Sequence, residues 1–130
     1  MNSEELKERT KQFALRVMRL VDALPKSTKG RAIANQVVRS GTGVAANDRA
    51  ACRARSRAEF VSRIGVVEEE ADETALWLEL IIADKILPTK QVVSLEMEAN
   101  ELVAIMAASY ISARNNAPKK SEIRNQKSAI

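Results

Sequence analysis

The chain has 130 residues, of which 45% are apolar and 3% aromatic, with a formal net charge of +4, no histidine and a single cysteine. This length suits one domain, and a domain of this size buries roughly two-thirds of its unfolded surface. Without histidine or a second cysteine, one chain cannot assemble a disulfide framework, a Cys/His zinc site or a His-based catalytic triad.

The first helix is predicted to begin at Ser3, a candidate N-cap that Glu4 and Glu5 follow near the positive end of the helix dipole. Pro25 ends it, and residues 25–30 form the first connection. Apolar residues at helical spacing mark the face that we expect to be buried. These residues are Leu6, Phe13, Val17, Leu20 and Leu24.

The second helix is predicted from about Thr28, with an apolar stripe that continues toward Cys52. The stripe consists of Ile33, Val37, Gly41, Val44 and Asp48. Gly41 and Gly43 each disfavour a helix by about 1 kcal/mol relative to alanine. They mark either a kink or a place where small side chains let a neighbouring helix approach closely, and we favour the close approach.

The third helix is predicted to begin at Arg57, because Ser56 and Glu59 match a capping box, and to run until Pro88. Its stripe is Phe60, Ile64, Val67, Ala71, Thr74, Leu78 and Ile81 or Ile82. Thr89 is expected to cap a fourth helix. The stripe of that helix is Val92, Leu95, Ala99, Leu102, Met106 and Ser109 or Tyr110.

Four amphipathic helices with short links predict an all-α fold, an up-down-up-down antiparallel four-helix bundle over residues 1–114. Residues 115–130 have no sustained apolar period and contain several basic side chains. We therefore expect a disordered basic tail that is dispensable for folding.

The charge is divided by segment. Residues 1–31 and residues 32–67 each carry a net +4, whereas residues 68–113 carry −8. Arginine guanidinium groups bind phosphate oxygens bidentately, so the arginines of the second segment are candidates for nucleic-acid binding. They are Arg39, Arg49, Arg53, Arg55, Arg57 and Arg63. The alternative is an exposed helix corner whose arginines only satisfy acidic neighbours.

The acidic run at residues 68–73 is a weak candidate for a metal site, because di-iron bundles pair carboxylates with histidines that this chain lacks. Like-charged residues of this run lie four positions apart and repel each other, so we expect basic groups to face the run. Trp77 is interpreted as a core or interface anchor, and Cys52 as a plain helix residue rather than a reactive thiol. We expect no metal and no cofactor.

A chain with one cationic and one anionic face pairs head to tail with the next copy, and head-to-tail contacts either close into rings or continue as filaments. A two-fold dimer would have to match each face with itself. We therefore expect a cyclic homo-oligomer whose acidic third helix meets the arginines of the next subunit, with apolar surface supplying most of the affinity. The arginines are Arg39, Arg49 and Arg53. The residues expected at the interface on the third helix are Glu69, Asp72, Glu73 and Trp77.

Two motifs carry a family resemblance: residues 36–47, QVVRSGTGVAAN, and residues 49–78, RAACRARSRAEFVSRIGVVEEEADETALWL. They resemble the bacterial four-helix-bundle proteins encoded by intervening sequences in large-subunit ribosomal RNA genes, over residues 6–113. The accessory protein of diversity-generating retroelements is a relative. The resemblance implies a ring-shaped homopentamer with basic surfaces that contact nucleic acid. It makes a ribosomal component and a reverse transcriptase the candidate partners.

The sequence therefore predicts a non-enzymatic, ring-forming protein that binds RNA or DNA through basic patches with little sequence specificity. The alternative is a structural or protein-interaction scaffold that binds no nucleic acid. A lone thiol fits a reducing compartment, and no segment resembles a secretory signal or a membrane span. We accordingly expect a cytoplasmic protein without membrane contact.

Overall fold

The computed structural model describes residues 1–115, which form four α-helices and contain no strand. The helices are α1 (Ser3–Ala23), α2 (Thr28–Cys52), α3 (Arg57–Ala83) and α4 (Thr89–Asn115). Each helix packs against the next one in sequence, and α1 also contacts α4. The predicted all-α four-helix bundle is confirmed.

Side-chain caps begin the first three helices. The Asn2 side chain accepts a hydrogen bond from the Glu5 amide at 2.8 Å, so the predicted cap at Ser3 is wrong by one residue. Ser27 caps α2, and Ser56 caps α3 by accepting from the Glu59 amide at 3.1 Å, as the capping box predicted. Thr89 is the first residue of α4 rather than its cap.

Helix α3 ends at Ala83, several residues before the predicted stop at Pro88. Lys85 adopts a left-handed conformation with φ 55°. The Ile86 amide then donates to the Ile81 carbonyl at 3.0 Å, which is the six-to-one hydrogen bond of a Schellman motif. This turn ends α3 before the chain reaches Pro88.

At the other end of α4, Asn115 is helical, so the predicted tail begins one residue too early. The rest of the predicted tail, residues 116–130, lies outside the described residues.

The predicted apolar stripes form the core, with exceptions near the helix ends. Leu6, Phe60 and Tyr110 are only partly buried against it. Cys52 is exposed, and Ala51 takes its place at the end of the α2 stripe. The buried apolar residues of the two middle helices are Ile33, Val37, Val44, Ala51, Ile64, Val67, Ala71, Ala75, Leu78 and Ile81.

Helix α2 continues without a break through Gly41 and Gly43. A Cβ atom added to Gly41 would lie 2.7 Å from Cγ1 of Val17 on α1. Real Cβ atoms do not approach so closely, so the glycine is what allows α1 to pack against α2 here. The close-approach interpretation is confirmed, and the helix break is wrong.

Candidate nucleic-acid interface

The predicted arginines separate into two groups, and the first group is Arg39 alone. Its guanidinium on α2 forms ion pairs with two carboxylates of α3, Glu73 and Glu70, the latter at 3.5 Å. Burial raises the pKa of Glu70, and the positive charge of Arg39 opposes that rise. Arg39 is thus the basic group that the like-charged acidic run was predicted to face. It stabilises the packing of α2 against α3.

Gly43 makes room for this ion-pair cluster. A Cβ atom at position 43 would lie 3.2 Å from the Glu70 carboxyl carbon, so the carboxylate lies directly across α2. Oxygen Oε2 of Glu70 is buried and accepts no hydrogen bond from the described residues. The charge of Arg39 is therefore what compensates that oxygen.

A second polar contact lies next to this cluster in the buried interior. The Thr74 hydroxyl on α3 lies 2.8 Å from Ser40 Oγ on α2, and both residues have no exposed surface. Each hydroxyl also reaches a backbone carbonyl of its own helix, that of Val37 for Ser40 at 3.3 Å and that of Glu70 for Thr74 at 2.8 Å. Both hydroxyls therefore avoid the cost of about 1–3 kcal/mol that a buried hydroxyl without a partner carries. Together the two contacts fix the rotation of α2 against α3.

The second group of arginines lies where α1 begins and α2 ends. Arg49 and Arg53 are exposed, and neither forms an ion pair within residues 1–115. Both line two adjoining depressions of about 360 and 400 Å³. Ligand clefts in proteins measure roughly 300–1,000 Å³, so both depressions are of ligand size.

Two lysines of α1, Lys7 and Lys11, complete the first depression, and the sequence analysis did not single them out. They lie four residues apart, as Arg49 and Arg53 do on α2, so each helix contributes one row of two cations. The net +4 of residues 1–31 was the only sequence signal of them. Glu4 and Glu8 also line this depression, and Glu4 forms an ion pair with Lys7 at 3.3 Å.

The remaining predicted arginines are spread more widely. Arg55 follows α2 and lines the second depression. Arg57 is the first residue of α3, and Arg63 lies farther along that helix, both exposed. Neither lines the two depressions. The structure thus brings Arg49, Arg53 and Arg55 together and leaves Arg39, Arg57 and Arg63 outside the cluster.

A buried polar pair lies near the same end of the α1–α2 contact. Asp48 on α2 is only 2% exposed, and its Oδ2 lies 3.4 Å from the hydroxyl of Thr10 on α1. Burial raises the pKa of Asp48, while the Thr10 hydrogen bond and the charge of Lys7 oppose the rise. Burial also raises the pKa of the nearby Cys52 thiol, which supports the interpretation of Cys52 as an unreactive residue.

The residues predicted at the subunit interface all lie on α3. Glu69 and Asp72 are exposed, whereas Glu73 and Trp77 are half-buried. Glu73 binds Arg39 of the same chain and accepts a hydrogen bond from the Trp77 indole N–H at 3.4 Å. Leu76 and Leu80 continue the exposed surface of α3, with 49% and 42% of their surface accessible.

Within residues 1–115, no group of three acidic or cysteine side chains is placed to hold a metal ion. None of the helices in that part of the chain has the length and apolarity needed to cross a membrane. The fold and this surface define an all-α bundle protein with a basic cleft between its first two helices. The chain belongs to the 23S rRNA-intervening sequence protein family, whose model matches residues 3–108. The resemblance drawn from residues 36–78 is confirmed.

A solved structure supports the same assignment. It is a protein of unknown function from the S23 ribosomal protein family of Bacteroides thetaiotaomicron, 32% identical, with a TM-score of 0.75. The similarity covers 80% of this chain and 96% of that one. No curated protein matches the chain.

Proposed function

We propose that this protein is a non-enzymatic, cytoplasmic assembly protein that binds the phosphate backbone of nucleic acid with little sequence specificity. The observation that carries the proposal is the pair Arg49 and Arg53, which are exposed, lie beside two depressions and lack acidic partners within the described chain. A cation without a partner is free to replace the counterions of a phosphate.

The lining of the two depressions supports backbone binding rather than base recognition. Neither depression is lined by an aromatic side chain on which a base could stack. Base stacking contributes about 1–3 kcal/mol per base in single-strand binders, so its absence leaves the charged contacts to supply the affinity. We infer binding that accepts RNA and DNA of mixed sequence and weakens steeply with salt.

We infer an up-down-up-down antiparallel order of the helices from the pairs of residues that meet. Lys29, near the start of α2, binds Asp84, just beyond the end of α3, at 2.6 Å. Thr10 in the first half of α1 meets Asp48 near the end of α2. Arg9 of α1 binds Glu98 of α4 at 2.6 Å. The first two pairs join an early residue of one helix to a late residue of its neighbour. Arg16, farther along α1, donates to Ser94, which precedes Glu98 on α4, so these two helices also run in opposite directions.

We further propose that the chain assembles into a closed ring, with five subunits by family resemblance. The exposed acids Glu69 and Asp72 supply one charged face, and Leu76 and Leu80 add apolar surface beside them. Exposed ion pairs contribute only about 0–1 kcal/mol each, so they orient the subunits while the apolar surface supplies the affinity.

One observation favours the alternative, a scaffold without nucleic-acid binding. Arg39 satisfies Glu70 and Glu73 of its own chain, which is what the alternative predicts for all the arginines. Arg49 and Arg53 do not follow that pattern. The choice between nucleic-acid binding and a scaffold without it therefore depends on Arg49 and Arg53.

The test is a titration of labelled mixed-sequence RNA and of duplex DNA with the full chain at several salt concentrations. Affinity should fall linearly on a log–log plot, and Arg49→Ala with Arg53→Ala should lower the slope by about one for each lost phosphate contact. The control is Lys26→Ala with Arg31→Ala, which removes the same charge from exposed residues outside the cleft. Absence of binding even at low salt would leave the scaffold as the function.

A further inference from the structure

The two depressions beside Arg49 and Arg53 adjoin, because both arginines line both of them. The arginines therefore form a ridge, with the α1–α2 cleft on one side and the depression at Arg55 on the other. Side chains four residues apart on a helix have Cβ atoms about 5–6 Å apart, so the two arginines are neighbours along the surface of α2. A chain of phosphates that crosses this ridge meets cations on both sides.

The α1–α2 cleft alone places four cations around one concave surface. Lys7 and Lys11 form the row on α1, opposite Arg49 and Arg53 on α2. Lys7 is engaged by Glu4, whereas Lys11 forms no ion pair within the described part of the chain. Four cations outnumber the two carboxylates that line the cleft, so its net charge favours an anion.

Glu4 and Glu8 occupy only the α1 side of the cleft. Glu8 already accepts a hydrogen bond from Gln12 at 2.8 Å. The two carboxylates offset the two lysines of α1, so the net positive charge of the cleft lies on the α2 side, at Arg49 and Arg53. This arrangement directs a ligand along the ridge.

We infer that the α1–α2 cleft and the depression at Arg55 are one continuous site for successive phosphate groups, in which Lys7 and Lys11 bind phosphate together with Arg49 and Arg53. The site binds phosphate rather than base, because no aromatic side chain lines either depression for a base to stack on. Over both depressions five cations outnumber three carboxylates, which are Glu4, Glu8 and Glu59. The inference rests on the proposed function only for the choice of a nucleic-acid strand as its ligand. Inorganic polyphosphate, which has no sugar and no base, should occupy it as well.

The first experiment is competition. Labelled RNA is bound to the full chain, and inorganic polyphosphate, unlabelled RNA or sodium sulfate at matched ionic strength is added. We expect polyphosphate to displace the RNA at a phosphate concentration similar to that of unlabelled RNA, and sulfate to displace much less. Lys7→Ala with Lys11→Ala should weaken the binding of RNA and of polyphosphate by about tenfold or more near physiological salt.

Lys11→Ala with Arg49→Ala is a second variant. It alters only exposed side chains without an ion pair in the described chain, so folding is preserved. We expect the same loss of affinity in this variant. Lys26→Ala with Arg31→Ala should leave both affinities nearly unchanged.

Cys52 supplies a local readout. It is the only cysteine, it is exposed, and the charges of Lys7 and Arg53 act on its thiol. Occupation of the cleft by polyphosphate should slow alkylation of Cys52 by iodoacetamide several-fold in the wild-type chain and much less in the Lys7→Ala, Lys11→Ala variant.

The outcomes separate the two proposals. If RNA binds but the Lys7→Ala, Lys11→Ala variant binds it as the wild type does, and polyphosphate leaves Cys52 alkylation unchanged, the continuous site is wrong while the proposed function stands. Wild-type binding of RNA by the Lys11→Ala, Arg49→Ala variant would contradict both proposals. If RNA and DNA do not bind at low salt but polyphosphate binds and needs Lys7 and Lys11, the proposed function is wrong and the phosphate site stands.

Discussion

The hydroxyl of Thr10 lies 3.4 Å from Oδ2 of Asp48, and this pair is buried between α1 and α2. The same hydroxyl lies 3.0 Å from the carbonyl oxygen of Lys7, so its single proton is shared between two acceptors. Asp48 therefore receives only a weak hydrogen bond in return for losing its hydration. A buried carboxylate in this position opposes folding whenever it is charged.

The first prediction concerns pH. Because burial raises the folded-state pKa of Asp48, the folded chain binds this proton more tightly than the unfolded chain does. Protonated Asp48 stabilises the folded chain fully below the pKa of about 3.9 that this residue has in the unfolded chain. This stabilisation is lost as the pH rises through the higher pKa of Asp48 in the folded chain. Asp48→Asn should be more stable than the wild type at pH 7, and the difference should disappear in acid. Urea denaturation of the wild type and of Asp48→Asn between acid and pH 7 measures this difference in stability. Asp22→Asn, at an exposed residue, is the control.

The second prediction compares two helical glycines. Gly41→Ala should destabilise the fold by about 1–3 kcal/mol despite its better helix propensity, because the new methyl group overlaps the buried Val17 side chain. Gly65→Ala should stabilise the fold by up to about 1 kcal/mol, since the new methyl group would be in ordinary contact with the Tyr110 ring at 3.4 Å. Thermal unfolding of the two variants decides the matter, and equal effects would contradict the close approach at Gly41.

The third prediction concerns the end of α3. Lys85 has the left-handed conformation that glycine adopts without strain. Lys85→Gly should stabilise the protein by about 1 kcal/mol. Lys90→Gly, in the first turn of α4, should instead cost up to about 1 kcal/mol. Chemical denaturation of the two lysine variants would refute the Schellman turn if both changes were destabilising.

The fourth prediction separates the two groups of arginines. Arg39→Ala should destabilise the chain by about 1 kcal/mol, because Glu70 and Glu73 lose their cation, and it should leave nucleic-acid affinity nearly unchanged. Arg49→Ala should do the opposite. Denaturation and RNA titration of the same two preparations measure both effects. A larger loss of RNA affinity in the Arg39 variant would overturn this division.

The fifth prediction concerns assembly. Light scattering of the purified protein at moderate salt should give a species larger than a dimer. Glu69→Lys with Asp72→Lys should shift it toward smaller species, because the lysines that replace these exposed acids of α3 repel the cationic face of the next subunit. Glu5→Lys with Asp22→Lys makes the same charge change on α1 and should leave the ring intact. A wild-type monomer or two-fold dimer would rule out the ring.

Local pattern determined much of the fold. Helical spacing of apolar residues located four helices, and a capping box placed the start of α3 at Arg57. These features depend on residues within one or two turns of each other, so the sequence contains the whole interaction. The family motifs at residues 36–47 and 49–78 likewise lie within contiguous segments.

Contacts between distant segments were decided only by the tertiary structure. The sequence placed Arg39, Arg49 and Arg53 in one cationic class, but packing of α2 against α3 gave Arg39 two carboxylates and left the other two arginines without any in the described chain. Packing of α1 against α2 likewise brought Lys7 and Lys11 beside Arg49 and Arg53. Apolar periodicity tells which face of a helix points inward. The rotation and axial position of two packed helices, which decide the polar neighbours at the rim, depend on side chains far apart in sequence, such as Gly41 and Val17.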